Sequence, residues 1–321
     1  MASKFKVYVI RPVRNFLIYH LLYLMFVFGR FMPRKLLLWW HGCLAKLAYV
    51  LLKKTRNSVI KNLQTAFGSE KSEDEYYSIG KRMFVSLSKT FTDYMIFWKL
   101  KTREQFSRYF KFVGEENLKA AYERGNGVLC MVTHTLGWEF SAILPPVMGY
   151  KSMGASSRIH NPALNRLMIQ SRESRGMANI TRDHSYDILV ERLKQGECLI
   201  IMIDQDTLKA RGEFLQFFGK EAYTPIGCAR LAMATGAAIV PMHTIRNDAD
   251  DTYEFRILPE IPFVQKSTEL ETLRYNTQIH NDVIEQIIRE HPEQWVWMHD
   301  RWKTTPEDLR RHLENKRRNQ G

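Results

Sequence analysis

The sequence predicts an α/β sandwich, a mixed sheet flanked by helices, with an N-terminal helical membrane anchor in front of it. Three observations predict it. Residues 127–133 and 198–203 are short, almost wholly apolar runs, the pattern of strands buried on both faces. From residue 127 onward, helix-period segments alternate with such runs, as layered α/β folds require. Residues 16–28 and 36–52 are also strongly apolar, and basic residues surround both.

The N-terminal runs come first in the chain. Residues 16–28 make about 13 positions, short of the ~20 that span a bilayer. No small-residue cleavage site follows, which argues against a removed signal peptide. Lys4, Lys6, Arg11 and Arg14 precede the run, and Arg30, Arg34 and Lys35 follow it. Charge on both sides suits helices lying in the interface, with Trp39, Trp40 and Tyr49 at headgroup level and basic side chains against anionic lipid. A helical hairpin packed on the domain is the plainer alternative. The boundaries expected are 1–56 for the anchor, 57–305 for the main domain and 306–321 for a charged, exposed tail.

Residues 57–105 read as helix, interrupted by a turn near Gly68. Ser72 followed by Glu75 resembles a capping box that restarts it. A short strand is expected at 112–113 and a helix at 115–123. Strand 127–133 is followed by a helix from 139 to 145, strand 151–157, and a helix over 161–175 with Asn161 as N-cap and Pro162 at its first position. A helix at 185–194, the strand at 198–203, a helix at 224–235 and strands at 238–244 and 253–258 complete the alternation. A long helix, 269–290, leads to a short element at 295–297.

The chain of 321 residues is 45% apolar, enough for a substantial core. A mean hydropathy of −0.33 excludes a protein that crosses the membrane many times. The net charge of +13 points to anionic partners: nucleic acid, an acidic membrane surface or a phosphorylated substrate. No nucleic-acid motif occurs, and the basic residues are spread along the chain. The four cysteines lack metal-site or disulfide spacing, which suits a reducing cytosol. No metal and no cofactor are expected.

Polar clusters fall where the predicted strands end, and ligands of open α/β sheets bind there. They are His134 with Glu139, residues 156–161, and Asp204-Gln205-Asp206. Five helical steps would put His134 and Glu139 about 140° apart, so they meet only if His134 closes the strand and Glu139 opens the helix. A carboxylate on one imidazole nitrogen fixes the tautomer and raises the basicity of the other. On this pattern alone, a structural histidine remains an open alternative. No Gly-x-Ser-x-Gly elbow or suitable cysteine lies nearby, which favours direct transfer over a covalent intermediate.

These clusters together resemble the lipid A late acyltransferase family, the lauroyl and myristoyl transferases of lipopolysaccharide biosynthesis, within the HxxxxD/E glycerolipid acyltransferase-like superfamily. The resemblance runs from the N-terminus to about residue 306. It rests on His134 and Glu139, on Arg158-Ile159-His160-Asn161-Pro162-Ala163-Leu164, and on Asp204-Gln205-Asp206 followed by Phe217-Phe218-Gly219. It rests also on Thr224 through Ala232 and on Gln294-Trp295-Val296-Trp297-Met298-His299-Asp300-Arg301-Trp302-Lys303-Thr304. Many members read His-x-Gly-Asn-Trp-Glu, where this chain has Leu136 and Gly137 in the middle. Ser157 stands where a tyrosine often precedes the arginine.

The resemblance implies transfer of a fatty acyl chain from an acyl thioester, acyl carrier protein foremost, to a hydroxyl of a phosphorylated lipid A precursor. It implies work at the cytoplasmic face of the inner membrane. His134 would be the general base and Glu139 its orienting carboxylate; Arg158, Asn161, Asp204, Asp206 and Arg301 would bind substrate. A different glycolipid or phospholipid acceptor, a non-catalytic protein binding anionic ligands, and a thioester hydrolase are the alternatives.

Overall fold

The computed structural model of the chain describes residues 32–156, 161–181 and 186–318. The first apolar run, residues 16–28, and most of the expected anchor lie outside the described residues. The second run forms α1 (Arg34–Leu51), which breaks at Leu52 and turns by 86° into α2 (Lys53–Phe67). No single described helix is long and apolar enough to cross a membrane, although this bent pair passes the same test by length and composition. Helix α1 packs along α3 (Glu73–Ile96), which opens with the Ser72–Glu75 capping box. Arg34 fastens that packing. It meets the fully buried Asp93 of α3 through two hydrogen bonds of 2.6 and 2.8 Å. Tyr49, expected at headgroup level, is buried instead and donates to the Tyr77 carbonyl. Trp39 and Trp40 are 61% and 50% exposed.

The short α4 (Arg103–Phe106) leads to β1 (Phe110–Val113), and then helices and strands alternate. They are α5 (Glu115–Glu123), β2 (Val128–Val132), α6 (Trp138–Val147), β3 (Ser152–Ser156), α7 (Pro162–Glu173), β4 (Met177–Thr181), α8 (Tyr186–Lys194) and β5 (Cys198–Ile201). A hairpin, β6 (Gly212–Phe217) and β7 (Lys220–Pro225), precedes α9 (Gly227–Thr235), β8 (Ala238–Asn247), β9 (Thr252–Ile257), α10 (Glu269–Glu290) and α11 (Pro306–Arg318).

The main sheet runs β1-β9-β8-β2-β5-β3-β4. Its pairs are parallel except β8 with β9, so the sheet is mixed, with helices on its faces. Strand β2 shows why it is central. Leu129 and Met131 pack into one apolar cluster, Val128, Cys130 and Val132 into the other, and all five are fully buried. Both faces are covered, so alternation gives way to a continuous apolar run.

Three elements differ from expectation. No element is expected between residues 175 and 185, yet strand β4 lies there. The β6–β7 hairpin takes Thr224 and Pro225 out of the expected helix, which starts at Gly227. Its turn needs positive φ at Phe218 (52°) and Gly219 (67°), and phenylalanine gives no sequence signal for that geometry. Phe218 tolerates it because its ring is buried against Phe67 and Trp297 and its N–H donates to Glu285 at 2.6 Å. Residues 306–318 of the expected tail form helix α11, and none of them is buried.

Candidate active site

Parallel neighbours carry their next residues to the same edge. Strands β2 and β5 pair up to Met131↔Ile201, so residues just past each strand come together. There the His134 backbone N–H donates to Asp204 Oδ2 at 2.7 Å, and its ring Nδ1 lies 2.5 Å from Oδ1. The Trp295 indole N–H adds a third donor to Oδ2 at 2.9 Å. Trp295 is held by a bridge to Thr135, and Leu136 donates to the Gln294 carbonyl at 2.7 Å. Burial by itself would raise the Asp204 carboxyl, but the His134 and Trp295 contacts outweigh it and hold the group below the usual carboxylate range. An ionised Asp204 makes Nδ1 the protonated nitrogen. Nε2, which has no partner among the described residues, keeps its lone pair.

Glu139 does not orient His134. It sits in the first turn of α6, as expected, but its carboxylate is taken by Arg172 on the last turn of α7, at 2.6 and 3.2 Å. The Trp138 indole N–H donates to it as well, at 3.1 Å. The reason is directional: His134 Nδ1 faces the end of β5, whereas Glu139 points toward α7. Gly137 sits between them without a side chain, because a Cβ there would lie 2.7 Å from Thr244 Cβ and 3.0 Å from its carbonyl oxygen.

Other expected ligands are placed differently too. Asp204 is buried beneath the histidine and is not open to substrate. Asp206 is also buried, with its oxygens on the Thr304 N–H at 2.8 Å and hydroxyl at 2.6 Å. Arg301 is wholly buried; its guanidinium donates to the Tyr223 carbonyl and the Thr224 hydroxyl and lies over the Phe217 ring. Burial pushes it down to about 10, partly opposed by Asp204 and Asp206. These contacts tie it to the β6–β7 hairpin. Asn161 caps α7, accepting from the N–H groups of Ala163 and Leu164. Arg158 lies outside the described residues.

His134 opens onto a cavity of about 740 Å³. The sheet itself makes room for it. Strand β3 stays paired with β5 only to Gly154↔Ile200, but follows β4 to Ser156↔Thr181. The cavity lies where β3 and β5 part. Ala142, Gly154, Met177, Leu189, Leu199 and Leu231 give it an apolar lining, and Arg172, Lys209, Arg211, Arg230, His299 and Lys303 add polar groups. Burial lowers His299 to about 4, so it stands as a neutral imidazole near His134. Sequence reasoning quoted His299 without giving it a role, and passed over Arg172 altogether; neither carries a local signal of what it meets across the fold. Among the described residues no group of acidic, histidine or cysteine side chains is arranged to hold a metal ion.

The arrangement can therefore supply an imidazole held at Nδ1 by a buried carboxylate, with Nε2 facing a largely apolar cavity. Comparisons with known proteins agree in class. Residues 4–304 match the model of the bacterial lipid A biosynthesis acyltransferases. The chain is 27% identical over 270 residues to a lipid A biosynthesis lauroyltransferase of Escherichia coli (strain K12), covering 84% of this chain and 86% of that one. It is 28% identical over 263 residues to a lipid A biosynthesis palmitoleoyltransferase of the same strain, covering 81% and 82%. A phosphatidylinositol mannoside acyltransferase of Mycobacterium tuberculosis (strain CDC 1551 / Oshkosh) is 25% identical over 202 residues, 62% of this chain and 61% of that one.

Proposed function

The chain belongs to the bacterial lipid A biosynthesis acyltransferase family, and from that premise we propose that it moves a fatty acyl chain from a thioester on acyl carrier protein to a hydroxyl of a lipid A precursor. The acyl chain occupies the apolar part of the cavity beside His134. Nε2 of His134 takes the proton of the acceptor hydroxyl, and that oxygen attacks the thioester carbonyl. The tetrahedral intermediate collapses by breaking the C–S bond, and the imidazolium returns its proton to the departing thiolate. Asp204 holds the imidazole in the productive tautomer and balances its transient positive charge. Glu139 acts through Arg172, as a positioning residue. The observation that carries this reading is the Asp204–His134 hydrogen bond at the cavity wall.

Residence at the cytoplasmic face of the inner membrane goes with this reading. Leu36, Trp39, Trp40, Leu44, Leu47, Val50 and Leu51 are exposed along α1, and such a face is stable when it lies among lipids. A mannosylated phosphoinositide acceptor is the second reading, favoured by the likeness to the mycobacterial enzyme. The test offers purified protein a panel of acyl carrier protein and coenzyme A thioesters, with a lipid A precursor or a phosphoinositide mannoside, and identifies products by mass spectrometry. Acylated lipid A precursor is expected. Transfer only to the phosphoinositide selects the second reading, and no transfer to either removes both.

A further inference from the structure

The polar side of the same cavity carries more positive charge than acyl transfer by itself requires. Lys209, Arg211, Arg230 and Lys303 all line it. None forms an ion pair among the described residues. The acidic residues lining the cavity are already engaged, Glu139 by Arg172 and Asp206 by Thr304. Arg230 lies over the Tyr186 ring, its guanidinium carbon 4.0 Å from the centroid, which holds it in place without neutralising it. Like charges that line one cavity repel, and an anion bound among them relieves the repulsion.

Two further features point the same way. The backbone that carries them is tied together: the Arg211 carbonyl accepts from the Ile226 N–H at 3.1 Å, the Arg230 N–H donates to the Ile226 carbonyl at 3.0 Å, and Asp206 anchors Thr304 beside Lys303. Segments 206–211, 226–230 and 303–304 are thus hydrogen-bonded neighbours. The first turn of α9 also belongs to the cavity lining, through Ile226 and Gly227, and no side chain caps that helix. Its free N–H groups and positive dipole end add to the four cations.

We propose that Lys209, Arg211, Arg230 and Lys303, with the uncapped start of α9, form a phosphate-binding site on the rim of the acyl cavity. The proposal rests on the acyl-transfer reading of that cavity. The phosphate comes either from the acceptor glycolipid or from the phosphodiester that joins the thioester arm to its carrier. Arginine forks suit phosphate oxygens in pairs, and lysine adds mobile point charge.

The experiment compares wild type with Lys209→Gln/Arg211→Gln and Arg230→Gln/Lys303→Gln, after thermal melts confirm that each is folded. KM is measured for the acceptor with and without its phosphates, and for the donor as carrier-bound and as a truncated, phosphate-free thioester. Charge-assisted contacts of this kind imply a rise in KM of about tenfold for the phosphorylated partner. The unphosphorylated counterpart stays unchanged. A rise for the acceptor assigns the site to the acceptor, and a rise for the carrier-bound donor assigns it to the donor. No rise for either overturns the proposal. Should wild type transfer nothing, calorimetric titration with inorganic pyrophosphate still tests the site. Binding by wild type that both variants lose upholds it, while equal or absent binding removes it.

Discussion

Replacing Asp204 with asparagine preserves shape and removes charge. The carboxylate accepts three donors: the His134 ring Nδ1–H, the His134 backbone N–H and the Trp295 indole N–H. Asparagine has one acceptor oxygen. If that oxygen keeps the backbone and indole donors, its amide N–H group faces Nδ1. The imidazole then takes the other tautomer, with Nδ1 accepting and Nε2 carrying the proton, and the base is lost. If the amide is flipped, two donors collide with its N–H₂ group. A general base contributes about 10²–10⁴ in rate, and loss of the orienting carboxylate in a His–Asp pair has a comparable effect of about 10⁴. The Asp204→Asn protein should therefore show kcat lowered about 10³-fold or more with KM little changed, measured by transfer of a radiolabelled acyl chain at saturating donor. Activity within tenfold of wild type would refute the tautomer argument.

Other consequences follow from different parts of the molecule. Glu139→Gln and Arg172→Gln remove the same ion pair, so the double variant should be no slower than the worse single one; additive losses would show that Glu139 acts apart from Arg172. Asp93→Asn strips the counter-charge from Arg34 and from the buried Arg246, and should cost about 3 kcal/mol of stability in urea unfolding, the low end for a broken buried pair because Arg246 still meets Asp248 and Asp251. An effect under about 1 kcal/mol would mean the cluster is better solvated than its burial indicates. Burial, with Arg256 and His291 for His243, lowers His243 to about 3 and His280 to about 4, both from 6.5. Below pH 6.5 the unfolded chain takes up protons that the folded chain refuses, so stability falls with falling pH until the folded values are reached. Each histidine contributes a loss of about 2 kcal/mol between pH 7 and 5. His280→Met should flatten the slope by one proton, and an unchanged slope would show that the ring is protonated in the fold.

The sheet was legible in the sequence where burial is two-sided. Residues 128–132 and 198–201 are continuous apolar runs because both faces are covered, and no helix pattern competes with them. Asn161 and the Ser72–Glu75 box marked helix starts, since capping chemistry is local. Strand β4 was not legible: Met177-Ala178-Asn179-Ile180-Thr181 is neither strictly alternating nor wholly apolar, and it is a strand only because it lies beside β3. The turn at Phe218 was hidden for a similar reason, since its positive φ is held by contacts with Phe67, Trp297 and Glu285. At the site, His134 stood out by its place after an apolar run. Asp204 stood out in the same way, but nothing in the sequence paired the two. Seventy positions separate His134 from Asp204, and only the parallel pairing of β2 with β5 brings them together, whereas Glu139 is near in sequence and turned away in space. The burial of Arg301 was hidden for a related reason: its hydrogen-bond partners, Tyr223 and Thr224, lie more than seventy positions earlier in the chain.

The most direct test is the acyl-transfer rate of His134→Ala beside wild type, with folding of both verified by circular dichroism and melting temperature. Loss of about 10³-fold or more in a folded protein is the result expected if Nε2 of His134 is the base. Near wild-type transfer would contradict it and move the chemistry to another residue of the cavity.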